Sequence, residues 1–479
     1  MARGQKKETL TPEECLQAAL VPESEQPYPV PRNWCWTQLG TYIDFATDYV
    51  ANGSFASLKQ NVAYYKEENY AILVKTQDFS NSFTEDLTYT DKRGYDFLKK
   101  SVLYGGELIL SNIGSIGKVF RVPYLNKPMT LAPNSIMIKC YRETDYDLLY
   151  YYFLSPFGTE QLYSITTGTA VKKFNKTDLK TICLPLPPLS EQQRIVARIE
   201  SLFAKLDEAR QQAQDALDSF ETRKAAILHK AFTGELSAKW RKEHGVGMDS
   251  WDRLRWGSFI VSIEAGKNWS AEGRPPQADE FGVVKVSAVT WGEFNEVESK
   301  TCTVEEQWNE DVQIHEGDFL FSRANTLKLV GNCVIVKSIS RRLMLSDKIL
   351  RFEFDKRVIP DYVLHFTRSN LYRNQIEQLA SGNQDGMRNV SQKNMKLVEF
   401  PIAKLEEQIE IVRLLDNLLT KEQQAKEAAE AVLDQIDLIK KAILARAFRG
   451  ELGTNDPAEE SAVELVKRMI QKEDESHAN

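Results

Sequence analysis

The chain has 479 residues, too many for one compact core and suited to two domains of ordinary size with connecting elements. With 42% hydrophobic and 27% charged residues it has the make-up of a globular protein, and no apolar run approaches the ~18 residues of a membrane span, which excludes a spanning role and makes the cytoplasm the expected location. A net charge of −7 excludes a protein that coats nucleic acid through bulk positive charge, so any nucleic-acid contact must be local.

The first residues, Met1 to Leu10, are polar and charged with no apolar stretch behind them, unlike a secretory leader. A tryptophan-rich opening follows at Asn33-Trp34-Cys35-Trp36, and then β-branched and aromatic runs broken by Gly, Asn and Pro. Within them Gly106 to Asn112 reads as a strand, followed by a Gly-containing turn and a second strand, Lys118 to Val122. An aromatic-rich helical stretch and a polar Gly loop, Thr166 to Lys180, lead into a proline signal at Pro185. A long helical segment comes next and closes on Gly234. The same order then repeats: Trp251 and Trp256, a strand at Gly317 to Arg323, a second at Cys333 to Val336, a polar loop at Ala380 to Lys396, Pro401, and a second long helix closing on Gly450. The residues from Gly453 onward form an acidic tail.

The repeat is strongest in the helices, where Leu184 to Leu236 matches Phe400 to Leu452 without a gap at a constant shift of 216 residues. Pro185 falls on Pro401, Glu191 on Glu407, Gln192 on Gln408, and Ala231-Phe232-x-Gly234-Glu235-Leu236 on Ala447-Phe448-x-Gly450-Glu451-Leu452. Each copy reads as one helix with an acidic first turn, which suits the positive end of the helix dipole, and an apolar seam at alternating four-three spacing. Ile195, Ile199, Leu202 and Leu206 lead into Ala209, Ala213 and Ala216 in the first copy; Ile411, Leu415 and Leu418 lead into Ala425 and Ala429 in the second. One charge interrupts each seam, Arg223 and Glu422. Alanines at the centre allow two backbones to approach closely, and a helix after each of two repeats can pair antiparallel about a pseudo-twofold axis. At 1.5 Å per residue such helices reach roughly 60 Å, the length of a spacer.

Catalytic constellations are missing. Gly114-Ser115-Ile116-Gly117-Lys118 lacks the first glycine and the Ser/Thr of a phosphate loop, with Asn112 and Val119 in those places. His229, His244, His315, His365 and His477 have no ligand spacing, and the six cysteines include no Cys-x-x-Cys pair. Glu298-Ser299-Lys300 has the Glu-x-Lys form of metal-dependent nucleases but no Pro-Asp before it, and no Asn/Asp-Pro-Pro-Tyr/Phe tetrapeptide or Gly-rich cofactor turn suggests a methyltransferase.

The run Leu184-Pro-Leu-Pro-Pro-Leu-Ser-Glu-Gln-Gln-Arg-Ile-Val196, the Ala-Phe-x-Gly-Glu-Leu helix endings and the stretch from Ala19-Leu20-Val21-Pro22-Glu23 to Trp34 resemble the DNA-specificity subunit of type I restriction-modification enzymes. The second copy departs from the pattern: Phe400 to Leu405 lacks the double proline and Ile409 replaces the second glutamine. The resemblance implies an α+β chain in which two mixed α/β target-recognition domains are separated by two long helices paired as an antiparallel coiled coil. The divisions expected are an N-terminal arm (1–32), target-recognition domain 1 (33–184), helical spacer 1 (185–236), a linker (237–249), target-recognition domain 2 (250–400), helical spacer 2 (401–452) and the acidic tail (453–479). It implies double-stranded DNA as ligand, two methyltransferase subunits carrying S-adenosylmethionine, and restriction subunits using ATP and Mg2+, with no cofactor or metal on this chain. Polar loops are the expected reading surface: Asn112, Ser115 and Lys118; Thr169, Lys172, Lys173 and Asn175; Arg323 and Asn325; Gln384, Arg388 and Asn389. Arg, Asn and Gln can pair two-pronged with guanine or adenine edges, whereas Lys more often grips phosphate. Two alternatives compete, a coiled-coil scaffold with no DNA role and a self-contained nuclease or methyltransferase. Diversified globular parts on near-identical helices disfavour the first, and the absent motifs the second.

Overall fold

Apolar runs without polar alternation, such as Leu108–Ser111 and Phe319–Ser322, are buried on both faces, which makes each the centre of a layered body. A computed structural model describes residues 11–141, 144–384 and 387–478, with the side chains of 383, 384 and 472–478 outside that description. The chain divides into two units, Met1–Gln212 with Val432–Asn479, and Ala213–Ala431.

In the first unit one sheet has the order Ile43–Asp48, Ser135–Cys140, Leu108–Ser111, Val119–Arg121. Period-two alternation sorts its side chains. Ile109 and Met137 meet Ile72, Val74, Met129 and Leu131 of a second sheet. Leu108, Leu110, Ile136 and Ile138 face the other way, onto Leu148, Leu149, Tyr152 and Phe153 of a helix and onto Ile195 and Ile199 of the long helix. Each side chain so buried contributes about 1.5–3 kcal/mol of transfer free energy. The second sheet runs Tyr89–Thr90, Ala71–Val74, Met129–Leu131, Val102–Leu103, and its central pair is parallel.

The second unit repeats this plan. Its first sheet is Ile260–Ala265, Ile349–Phe354, Phe319–Ser322, Cys333–Ile335, and its second is Ala271–Glu272, Ser299–Cys302, Phe281–Val284, Arg342–Met344, again with a parallel pair, Phe281–Val284 beside Arg342–Met344. A short antiparallel ladder closes each globular region at the tryptophan opening and the proline signal, Cys35–Gln38 with Cys183–Leu186 and Asp252–Arg255 with Glu399–Ile402.

The second helical segment is a single helix, Leu405–Ala447, of 43 residues. The first is not continuous: it runs Leu189–Asp218 and then Phe220–Phe232. This corrects the expectation of one helix per copy, and the cause lies at Ser219. The Ser219 hydroxyl donates back to Asp215 O (2.7 Å), and the Ala216 carbonyl, which an unbroken helix would give to the Phe220 N–H, receives Arg223 Nη2 (3.2 Å). Gln435 occupies the equivalent place in the second copy. Within the first unit Lys440 pairs with Asp207 and Arg210 with Asp437; within the second, the two charges that interrupt the seams meet, Arg223 Nε to Glu422 Oε2 at 2.8 Å.

The Glu-Gln pair at the head of each helix is buried. In the first unit Glu191 accepts from Trp34 Nε1 (2.7 Å), Asn455 Nδ2 (2.8 Å) and Thr454 Oγ1 (3.2 Å). In the second, Glu407 accepts from Trp251 Nε1 (2.9 Å), Ser237 Oγ (2.6 Å) and Arg241 Nη1 (2.6 Å). Gln192 and Gln408 likewise bond backbone around them: Gln192 Nε2 donates to Pro187 O (3.0 Å), and Gln408 Nε2 to Arg357 O and Ala403 O (both 2.8 Å). These motif residues are structural. The acidic tail carries a helix, Ala462–Ala478, whose Ala462, Leu465, Val466 and Met469 pack into the first unit's core with Leu444, Ala447 and Phe448.

Candidate nucleic-acid interface

The polar loops singled out from sequence are joined in each unit by the same backbone ladder. In the first, Asn112 N donates to Asn134 O (3.2 Å) and Asn112 O accepts from Phe174 N (3.1 Å). In the second, Arg323 N donates to Lys348 O (3.0 Å) and Arg323 O accepts from Val390 N (2.9 Å). Two loops far apart in sequence therefore share one surface in each unit.

In the first unit the turn that follows Asn112 lies against residues 172–174, with Gly114 N bonded to Lys172 O (3.1 Å) and Ile113 bridged to Lys173. Ser115, Lys118, Thr169, Lys172 and Lys173 are exposed there. Gly168 shapes the second loop: its φ is +94°, and a Cβ would stand 2.4 Å from Val171 O. Two of the expected residues have other work. Asn175 caps the helix Lys176–Leu179, its Oδ1 accepting from Thr177 N (2.8 Å) and Asp178 N (2.9 Å) and its Nδ2 donating to Asp178 (2.8 Å). Asn112 is half-buried and ties the loops together through Nδ2 to Phe174 O (3.1 Å).

In the second unit Ala324–Asn325 pairs with Met387–Asn389, which pairs with Ser381–Gln384, gathering Asn325, Arg388 and Asn389 on one small sheet with Arg323 immediately before it. Arg323 Nε donates to Asn389 Oδ1 (3.3 Å) and Arg388 Nη1 to Gly382 O (2.5 Å). Gln384 ends the last strand, and its side chain lies outside the described residues. Asn325 Nδ2 donates to Thr290 Oγ1 (3.2 Å).

That contact anchors a residue the sequence reading missed. Trp291 stands 75% exposed on a turn whose Thr290 O accepts from Asn332 Nδ2 (2.8 Å) and whose Gly292 O accepts from Arg368 Nη2 (2.8 Å). It lines a cavity of about 970 Å³ with Lys224, Lys328, Arg368 and Arg373. Burial pushes the Arg368 and Arg373 guanidinium pKa values down from their ordinary value. A Trp-Gly pair inside a polar turn was the available signal.

A second feature recurs beside each ladder, a cleft at the C-terminal ends of the parallel strands. In the first unit it measures about 350 Å³ and is lined by Tyr64, Lys75, Gln77, Ser111, Ser115 and Asn134, among others. In the second it measures about 220 Å³ and is lined by Lys267, Lys285, Lys300, Asp347 and Lys348 with Trp269. Asn134 and Lys348, the residues whose carbonyls receive the ladder bonds, occupy corresponding walls.

Among the described residues no reacting constellation accompanies these surfaces. Among the described residues no group of three or more His, Cys, Asp or Glu side chains is placed to hold a metal ion, and no helix is long and apolar enough to cross a membrane. Burial pushes the Cys35, Cys140 and Cys333 thiols up to about 12, far from nucleophilic. Exposed hydrogen-bonding and cationic side chains on a rigid frame suit recognition.

A two-domain α+β chain with such surfaces falls in a known class. The family described as "Type I restriction modification DNA specificity domain" matches residues 50–217 and 283–431, more than half of the chain. The specificity subunit of the type I restriction enzyme EcoKI from Escherichia coli is 24% identical over 412 residues, covering 82% of this chain and 85% of that protein. The MjaVIII specificity subunit of Methanocaldococcus jannaschii is 26% identical over 361 residues, 72% of this chain and 78% of that one. Among solved structures, the HsdS subunit from Thermoanaerobacter tengcongensis superposes with a TM-score of 0.61 at 20% identity, covering 89% of this chain and all of that one, which shows the common fold. The chain belongs to the type I restriction-modification DNA-specificity family, and its role is to specify a DNA target without catalysing a reaction.

Proposed function

We propose that the chain reads a split, asymmetric duplex target, one half-site per globular region (33–184 and 250–400), and directs the adenine methylation and restriction performed by partner subunits. Two methyltransferase subunits would bring S-adenosylmethionine, and restriction subunits ATP and Mg2+. The observation that carries this reading is the shared ladder: one backbone frame presents Ser115, Lys118, Thr169, Lys172 and Lys173 in one unit and Arg323, Arg388 and Asn389 in the other, as two readers of different half-sites require. Asn112, Asn175 and Asn325 serve this scheme by holding the loops. Gln384 is assigned to DNA contact on its sequence alone, its side chain lying outside the described residues.

The helical segments 185–236 and 401–452 pair antiparallel in this proposal and set the spacing between half-sites. Support comes from Asp207 with Lys440, Arg210 with Asp437 and Arg223 with Glu422, whose residue numbers rise along one helix as they fall along the other. The Arg223–Glu422 pair also favours one register, since its equivalents under the 216-residue shift are the apolar Ile439 and Leu206. A domain graft tests the scheme. Replacing residues 250–400 by the corresponding region of another specificity subunit, in the presence of the partner subunits, should change one half-site only in a methylation-sequencing profile. Rewriting of both half-sites would require a single composite surface and would sink it.

A further inference from the structure

The two clefts at the parallel strand ends are alike in position and opposite in chemistry. In the second unit the lysines are brought together by backbone. Gly266 lies so close to the next segment that a Cβ would stand 1.6 Å from Leu345 O, Lys267 bridges Ser346, and Trp269 Nε1 donates to Leu345 O (3.0 Å). That seats Lys267 against the segment bearing Lys348. Lys300 enters from the neighbouring strand, in register with Val283, and Lys285 follows the strand end at Val284. Lys267, Lys300 and Lys348 have no side-chain hydrogen bond or ion pair among the described residues, and Lys285 stands 4.0 Å from Glu298. Asp347 is the single acid among the lining residues. Four lysines against one lining acid and the distant Glu298 leave the cleft with net positive charge, which an anion relieves.

The first unit builds the same cleft from Tyr64, Gln77, Ser111, Ser115 and Asn134, and its one lysine, Lys75, is already paired with Asp78 (3.6 Å). It offers hydrogen bonds and almost no charge.

We propose that the cleft of Lys267, Lys285, Lys300 and Lys348 is a phosphate-binding site that grips the backbone of duplex DNA, an electrostatic hold that the matching cleft of the first unit does not supply. This rests on the DNA-reading function above. Phosphate contacts position a protein without carrying sequence, and each neutralised phosphate adds about 0.9 to the slope of log affinity against log salt.

The test uses the chain assembled with its methyltransferase subunits, binding target duplex over a series of salt concentrations. Changing Lys267, Lys300 and Lys348 together to Gln should lower the salt slope by about 2 to 3 and leave base preference at every position of both half-sites unchanged. The triple Lys→Arg variant, which keeps charge, should retain the slope, and Lys75→Gln should barely alter it. An unchanged slope in the Gln variant, or altered preference at a base, overturns the proposal. Inorganic phosphate at equal ionic strength distinguishes a free-phosphate site: phosphate bound by the parent assembly that target duplex does not displace would overturn the backbone assignment, and displacement by duplex supports it. Failure of the parent assembly to bind target DNA would instead overturn the function on which the proposal rests.

Discussion

The first and second units solve the same folding problem with one backbone and two sets of side chains. At the head of each long helix a carboxylate is buried against a tryptophan, yet Glu407 is met by the Arg241 guanidinium whereas Glu191 is met by the amide of Asn455 and the hydroxyl of Thr454. The clefts differ in the same way, cationic in one unit and neutral in the other. The strand order of the first sheet, the ladder bonds and the motif glutamates are common to both because they define the frame. The charges that terminate on the frame diverge, which is what separates a scaffold from what it presents.

The largest effect should come from the buried pair. Arg241→Ala leaves Glu407 desolvated without its cation and is expected to destabilise the second unit by about 3–5 kcal/mol. The control in the first unit is Arg194→Ala, which frees Glu459 at a partly exposed site and should cost at most about 1 kcal/mol. Chemical denaturation of the two variants measures both. Equal losses would show that burial adds nothing to the Arg241–Glu407 pair beyond what an exposed pair such as Arg194–Glu459 provides.

A smaller effect is expected on recognition. Arg323→Ala should weaken target binding by about 1–3 kcal/mol and relax preference at one base position, if its guanidinium holds a base edge two-pronged. Lys172→Ala, on the corresponding face of the first unit, should weaken all sequences about equally. A competition assay with single-base variants of the target separates the two patterns, and uniform weakening by Arg323→Ala would assign that residue to phosphate.

The smallest effect concerns pH. His365 of the second unit is buried, with Nε2 2.9 Å from Asp416 Oδ1, and burial holds its pKa below the ordinary 6.5 in spite of that carboxylate. With the folded value below the unfolded one, the unfolded chain takes up the proton first, so stability falls as pH drops from about 6.5 toward the folded value and is constant above it. His365→Gln should flatten this part of the profile. A slope of the opposite sign in the parent would mean that Asp416 outweighs burial.

Much of this was legible in the sequence, because the repeat marks the same positions twice. Glu191 and Glu407 and the helix endings follow from the 216-residue shift, and the correspondence of Asn112 with Arg323 from the strand pattern alone. What escaped depends on side-chain contacts, some local and some distant in sequence, that periodicity does not register. Asn325 reads as a base-reading amide until Thr290 is found within 3.2 Å of it, and Asn175 until its cap is seen. Lys267, Lys300 and Lys348 look like scattered surface charges along 82 residues, and only sheet pairing gathers them. The break at Ser219 turns on a hydroxyl returning to its own helix, which periodicity does not register.

The discontinuity of the first unit bears on how the chain comes off the ribosome. Residues 213–431 form an uninterrupted unit that can fold as soon as it emerges, while residues 1–212 are completed only by residues 432–479. At about 5–20 residues per second the intervening stretch of 219 residues takes roughly 10–45 s to synthesise. For that time the surface destined for Leu444, Ala447, Phe448, Leu465 and Val466, around Trp34 and Ile195, lacks its cover, and Glu191 lacks Asn455. The N-terminal half of this protein is therefore the first made and the last finished, and a nascent chain stalled before residue 444 should depend on chaperones far more than one released at its end.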